Sequence, residues 1–474
     1  MNLTFWGAAQ QVTGSMHLLT LQSGYSILID CGVSYENRLN FEEENKNFPF
    51  DPTSIDLVIL THAHIDHSGN LPNLVKQGYN GQILCTDATV ELTKYLLFDS
   101  MNVQNIEFNK KKNNKKQGPK KVKQNRGNKA SLNQALYSSV HVEKTIEKMV
   151  GIQFRKSFKV SNELELEFFE AGHILGAASV RLTVTEGHKN TVVGFTGDLG
   201  NYNSKLVKDP QPMPGLDYLI TESTYGGRLH TDVGVAEEVM LKYIQDTCVK
   251  YNGKLVIPAF SVGRTQAILF TLHQLHVQGL LPDIKIFTDS PLAIRTTKLY
   301  DKYLSSLNEE ANDFYHQNGH LFSFPQLHVI ENPKESQAIS MYPEPAIIVS
   351  AAGMVEGGRI QEHVKNHIGD AFSSILIAGF CAEGTLGYEL LRGKPTVRIN
   401  KREKQVFAKI ARTDAFSAHP DQNGLIRYLE QSNIKQLKKL FLVHGDKQSM
   451  ELFKEKLNSD KAIIPIKGQS FELD

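Results

Sequence analysis

The sequence predicts an α/β protein of two domains. Three observations carry that expectation. The chain has 474 residues, more than one ordinary hydrophobic core organises. Its first 200 residues are rich in short apolar strands separated by Gly- and Asn-containing turns. From about Asp209 the texture changes to strands alternating with helices, the pattern of a parallel sheet.

The opening residues, 1–6, read as a first strand, because they lack the basic start and long apolar core of a signal peptide. Strands are expected at 25–30, 57–60, 82–85, 164–169, 179–184 and 192–195, with a helix at 88–98. Pro210, Pro212 and Pro214 mark a linker. Beyond it, strands at 218–221, 254–258, 284–288, 346–350 and 374–378 alternate with helices that include 235–249 and 265–277. After about Pro395 the chain is mixed again, and it closes on a helix at 423–431, a strand at 440–443 and a helix at 447–457. The expected division is therefore 1–208, 209–394 and 395–474.

Composition excludes other classes. Hydrophobic residues make up 41% and charged residues 22%, too apolar for a disordered chain. No run approaches the ~20 consecutive apolar residues of a membrane span. Cys31, Cys85, Cys248 and Cys381 form no CxxC pair and are expected as buried free thiols, which fits a reducing cytoplasm. The net charge of +1 conceals an asymmetry: residues 108–142 hold ten Lys or Arg and no acidic residue. The remainder of the chain is acidic. The lysine-rich stretch, about 109–135, is expected as an insertion in a loop and as a sequence-tolerant RNA tether.

The strongest chemical signal is Thr61-His62-Ala63-His64-Ile65-Asp66-His67, directly after an apolar strand. Imidazoles and a carboxylate are the ligands a borderline cation such as zinc prefers. His62 and His64 can point to one side of a loop while Asp66 and His67 point to the other, which suits two metals. With 17 His in the chain, three within six residues beside an Asp is not a chance arrangement.

This HxHxDH run resembles the signature of the metallo-β-lactamase superfamily. The resemblance continues at Gly172-His173, at Gly197-Asp198 and at Val443-His444-Gly445-Asp446, each after an apolar run. It implies an αββα sandwich with two Zn²⁺ per chain. His62, His64 and His173 would hold one ion, Asp66, His67 and His444 the other, with Asp198 between them. A hydroxide bridging the two metals is the family's nucleophile. Asp30, after the strand at 25–30, resembles the family's ligand-orienting aspartate.

Three further features resemble the β-CASP branch, which would insert its own α/β domain as a lid. They are Thr221-Glu222-Ser223-Thr224-Tyr225-Gly226, the run Ser417-Ala418-His419, and the long α/β segment between Asp198 and His419. The resemblance pairs Glu222 with His419 as a general acid, and the His at 444 favours RNA over DNA. It implies a ribonuclease that takes single-stranded RNA, cuts endonucleolytically and leaves 5′-phosphate and 3′-hydroxyl ends. A small-molecule metallohydrolase and a DNA-acting nuclease are the alternatives, and a homodimer is one assembly the sequence allows. Two glycine-containing runs enter helices at Arg264 and Arg359, where free N–H groups favour anions. Arg264, Arg359 and, four residues on, His363 are therefore candidate phosphate ligands, with intradomain salt bridges as the competing reading for the arginines.

Overall fold

The computed structural model describes residues 1–36, 41–116, 135–232 and 235–474, with the side chains of 107–116 outside that description. Two seven-stranded sheets form the first body. One runs, in spatial order, Gln469–Glu472, Asn2–Phe5, His17–Thr20, Ser26–Ile29, Leu57–Ile59, Gln82–Cys85 and Met149–Gly151. The other runs Ala462–Ile463, Lys439–Val443, Tyr218–Glu222, Lys189–Phe195, Ala178–Glu186, Leu164–Glu170 and Phe158–Lys159. They face each other across one apolar core that includes Leu3, Phe5, Ile29, Phe168, Phe195 and Phe441. Helices cover both outer faces: Leu71 and Leu74 pack on the first sheet, Leu425 and Phe453 on the second. This is the expected αββα sandwich.

The second body is a six-stranded, all-parallel sheet in the order Leu327–Val329, Lys285–Thr288, Ala346–Ser350, Lys254–Pro258, Ser374–Ile377 and Lys409–Arg412. Its central strands are continuous apolar runs because helices bury both faces. Ile268 and Leu272 belong to the cluster on one side, Ile360 and Val364 to that on the other.

Strand pairing divides the chain at points other than 209 and 395. Tyr218–Glu222, expected to open the parallel sheet, is bonded between Lys189–Phe195 and Lys439–Val443 in the sandwich. Lys409–Arg412, expected to lie back in the sandwich, is the edge strand of the parallel sheet. The proline linker precedes a strand of the same sandwich, so composition misplaced the crossing. The helix expected at 88–98 runs on as Asp87–Lys116 and takes in the first lysines of the supposed loop. Residues 117–134, the rest of that insertion, lie outside the described residues. All four cysteines are free and buried, as expected. Among the described residues no helix is long and apolar enough to cross a membrane.

Candidate metal centre and active site

The candidate residues stand at one set of strand ends. His62 follows Leu57–Ile59, Asp30 follows Ser26–Ile29, and Asp198 follows Lys189–Phe195. His173 follows Leu164–Glu170, Glu222 ends Tyr218–Glu222, and His444 follows Lys439–Val443. Successive strands of two facing sheets thus deliver side chains from distant points in the sequence to a single edge.

Ligating atoms of His62, His64, His173 and Asp198 lie within 4.8 Å of one another, and so do those of Asp66, His67 and His444. In the first group His64 Nδ1 is 3.2 Å from His62 Nε2 and 3.1 Å from His173 Nε2. Asp198 Oδ2 is 3.5 Å from His62 Nε2 and 3.7 Å from His173 Nε2. Its other oxygen, Oδ1, is 3.1 Å from His67 Nε2 and 3.4 Å from His444 Nε2, so one carboxylate reaches both groups. Asp66 Oδ2 is 3.5 Å from His444 Nε2.

The outer nitrogens are already engaged. His67 Nδ1 donates to Asp30 at 2.7 Å, and His173 Nδ1 to the Ala418 carbonyl at 3.3 Å. His62 Nδ1 meets Thr61 Oγ1 and His444 Nδ1 meets Thr224 Oγ1, both at 3.1 Å. With those positions protonated, the inward nitrogens point lone pairs at one another and at a carboxylate. Among the described residues, His67 Nε2, His444 Nε2 and Asp198 Oδ1 are buried without a hydrogen-bond partner. Such an arrangement is satisfied by a cation. Ligands 2.0–2.1 Å from a tetrahedral zinc would sit about 3.3 Å apart, which matches these spacings.

Electrostatics agree with that fit. Burial first of all pushes His62, His64 and His173 down, His64 to about 4, so all three are neutral near pH 7, the form that binds a metal. Burial acts the same way on His67 and His444, but Asp198 and neighbouring carboxylates outweigh it and raise both. The same carboxylates would favour a bound cation at those rings.

Beside the cluster, His419 Nδ1 meets the Glu222 carboxylate at 3.0 and 3.1 Å, and its ring centre is 4.5 Å from that of His173. Glu222 is fully buried and also accepts from Leu199 N at 2.6 Å, which fixes the carboxylate in place. Burial alone would lower His419; the Glu222 charge, with Asp198 and Asp66 behind it, raises it above the ordinary histidine value.

The anion-binding candidates separate. Arg264 lines a cavity of about 70 Å³ beside His173 and Ser417. Its Nε donates to Phe416 O at 3.3 Å, its guanidinium lies over Phe260, and among the described residues it has no carboxylate ion pair. Arg359 and His363 are instead bound to Asp289, at 2.5 and 2.6 Å, and Arg359 also to the carbonyls of Ile330 and Glu331. Their polar partners belong to the parallel sheet and its flanking segments, and the salt-bridge reading holds for Arg359. Thr61, Thr224 and the Ala418 carbonyl were not anticipated as orienting partners. Thr61 and Thr224 stand inside motifs already singled out, whereas a backbone carbonyl leaves no mark in a sequence.

Fold and site together define a metal-dependent hydrolase. The chain matches the metallo-β-lactamase superfamily over residues 11–238, the Beta-Casp domain over 265–390, and the Zn-dependent metallo-hydrolase RNA specificity domain over 403–466. It is 32% identical to Ribonuclease TTHA0252 of Thermus thermophilus, across 100% of this chain and 98% of that protein. It is 29% identical to an RNase J-like protein of Methanocaldococcus jannaschii, covering 94% and 92% of the two chains. It is also 30% identical to the transcription termination factor FttA of Methanothermobacter thermautotrophicus, across 94% of this chain and 67% of that protein. The chain belongs to the β-CASP family of the metallo-β-lactamase superfamily, whose members carry a divalent metal.

Proposed function

We propose that this protein is a two-zinc ribonuclease that hydrolyses phosphodiester bonds within RNA and leaves 5′-phosphate and 3′-hydroxyl ends. The observation that carries the reading is His419 held on Glu222 beside two ligand groups that share Asp198. His62, His64 and His173 would hold one zinc, Asp66, His67 and His444 the other, with Asp198 reaching both. Zinc bound there would lower the pKa of a water and stabilise charge on phosphate oxygens.

The chain's own residues supply the rest. Glu222 fixes the His419 ring through Nδ1 and favours its protonated form, which leaves Nε2–H to act. As the water oxygen bonds to phosphorus and the bond to the ribose 3′ oxygen breaks, His419 delivers its proton to that oxygen. The 2′-hydroxyl takes no part, so the 5′ end of the downstream fragment keeps the phosphate. Arg264, buried and without a carboxylate ion pair among the described residues, suits a phosphate next to the scissile one. The relatives named ribonucleases and the match to an RNA specificity domain support RNA as the substrate.

The test is cleavage of an end-labelled, mixed-sequence RNA and the matching DNA by the purified protein. Internal, metal-dependent cuts in RNA are expected, abolished in Asp66→Ala and reduced about 10²- to 10⁴-fold in kcat in His419→Ala. Two zinc per chain with no RNA cut would remove the substrate assignment. A 2′,3′-cyclic phosphate product would overturn the mechanism.

A further inference from the structure

Among the described residues, the sandwich and the parallel sheet leave a small sheet apart: a two-stranded ribbon, Thr396–Ile399 paired antiparallel with Arg402–Gln405. It lies in the second basic concentration of the chain. Residues 392–412 hold eight Lys or Arg against one acidic residue, Glu403. Val397 and Ile399 are buried and anchor the ribbon in the apolar cluster around Ile360 and Leu390. Arg398, Lys401 and Arg402 are exposed and Lys404 is half-buried.

The neighbouring cations are already paired: Lys394 with Glu389, Lys409 with Asp246 and Arg412 with Asp414. Among the described residues, Arg398, Lys401, Arg402 and Lys404 make no ion pair; Glu403, opposite Arg398 in the register, offsets one charge. The turn joins Asn400 and Lys401, both at positive φ (49° and 67°). Two-residue hairpin turns of this kind favour glycine at the second position. A lysine there accepts backbone strain and puts a charge at the tip.

The tip faces the functional edge of the sheet. Asn400 Nδ2 donates at 2.8 Å to Glu362, which is in the first turn of the helix Ile360–His367. The base of the ribbon is tied to the other end of that helix, by Phe407 N and Ala408 N on Ile368 O. The helix begins at the end of the sheet where strands finish. From that same edge Phe380 reaches Tyr225, 6.4 Å away, and Tyr225 is 6.0 Å from His419.

We propose that the ribbon Thr396–Gln405 is a second RNA-contact surface that holds the phosphate backbone of single-stranded RNA outside the catalytic cleft through Arg398, Lys401, Arg402 and Lys404. The proposal rests on the ribonuclease reading. Contacts are to phosphates, so binding is sequence-tolerant, and Phe407, 58% exposed just past the ribbon, offers one base a stacking face.

The test compares full-length protein carrying Asp66→Ala, in which no cleavage is expected, with the same protein carrying Arg398→Ala, Lys401→Ala, Arg402→Ala and Lys404→Ala as well. Anisotropy is read on an unstructured 30-nucleotide RNA and on a six-nucleotide RNA across a KCl series. For the long RNA, Kd should rise roughly tenfold or more at low salt, and the slope of log K against log[KCl] should fall by about two to three. The short RNA should bind both proteins equally. An unchanged slope on the long RNA overturns the ribbon and leaves the ribonuclease reading standing. Equal losses on both RNAs place the effect in the cleft and overturn it too. Absence of RNA binding by the parent removes both readings.

Discussion

The carboxylate of Asp30 receives three hydrogen bonds, from Thr61 N at 2.8 Å, Thr61 Oγ1 at 2.9 Å and His67 Nδ1 at 2.7 Å. It does so from a left-handed backbone position (φ 61°), unusual for any residue but glycine. Its geometry ties the first metal-motif residue to the last, so one side chain sets the loop and the ring together. Asp30→Asn would keep the shape and lose the charge that orients His67. Zinc affinity should then fall about 10- to 100-fold, measured by competition with a chromophoric chelator, while the circular dichroism spectrum stays as in the wild type. An unchanged affinity would mean that His67 needs no orienting carboxylate. At this scale the seven candidate ligands were legible because each sits in a short polar motif after an apolar run. Their outer partners were not, because Ala418 acts through its carbonyl, and Thr61 and Thr224 are commonplace residues until a ring lies against them.

Among elements, the parallel sheet shows what sequence reading can and cannot recover. Its inner strands announce themselves as unbroken apolar runs. His17–Thr20 and the charged ribbon do not, because one carries a buried histidine and the other displays its charges. Arg359 and His363 look like phosphate ligands because they follow a glycine-rich run, while their partner Asp289 directly follows the strand Lys285–Thr288, 70 residues earlier than Arg359. Asp289 is fully buried and accepts from Arg359, His363 and Ser336. Burial pushes its carboxyl up, but those hydrogen bonds outweigh burial and hold it below the ordinary range. A carboxyl held low contributes its full stability above its unfolded pKa of about 4 and loses it as pH falls through the folded value. Asp289→Asn should therefore cost about 3 kcal/mol at pH 7, by urea unfolding, and the gap from wild type should narrow below about pH 4. A gap that is constant with pH would show that the charge contributes nothing.

Across the whole molecule, the two bodies are joined by more than their linkers. One apolar cluster takes Ala88, Leu92, Ile174 and Leu206 from the sandwich and Phe270, Tyr300 and Leu307 from the inserted domain. Val207 bridges to Leu307, and Lys205 pairs with Glu237 and Glu310 at 2.6 and 3.4 Å. The linkers are themselves cross-tied, by Arg228 on Asp414 at 3.0 Å and Thr413 on Asp232 at 2.9 Å. A shared core should make the two bodies one cooperative unit. The proposed metal ligands come from four separated stretches of that unit, at 62–67, 173, 198 and 444, so bound metal would cross-link the sandwich. Metal that binds only the folded chain stabilises it by about 4 kcal/mol per site when free metal is a thousandfold above Kd. For two sites in a chain of this size that corresponds to a Tm lowered by roughly 5–10 °C on stripping. Calorimetry of loaded and stripped protein should show one peak that moves as a whole, since the inserted domain cannot keep its share of the cluster when the sandwich melts. A scan in which part of the heat absorption stays in place while the rest moves would show instead that the two bodies unfold independently, and that the cluster between them is a contact surface and not a common core.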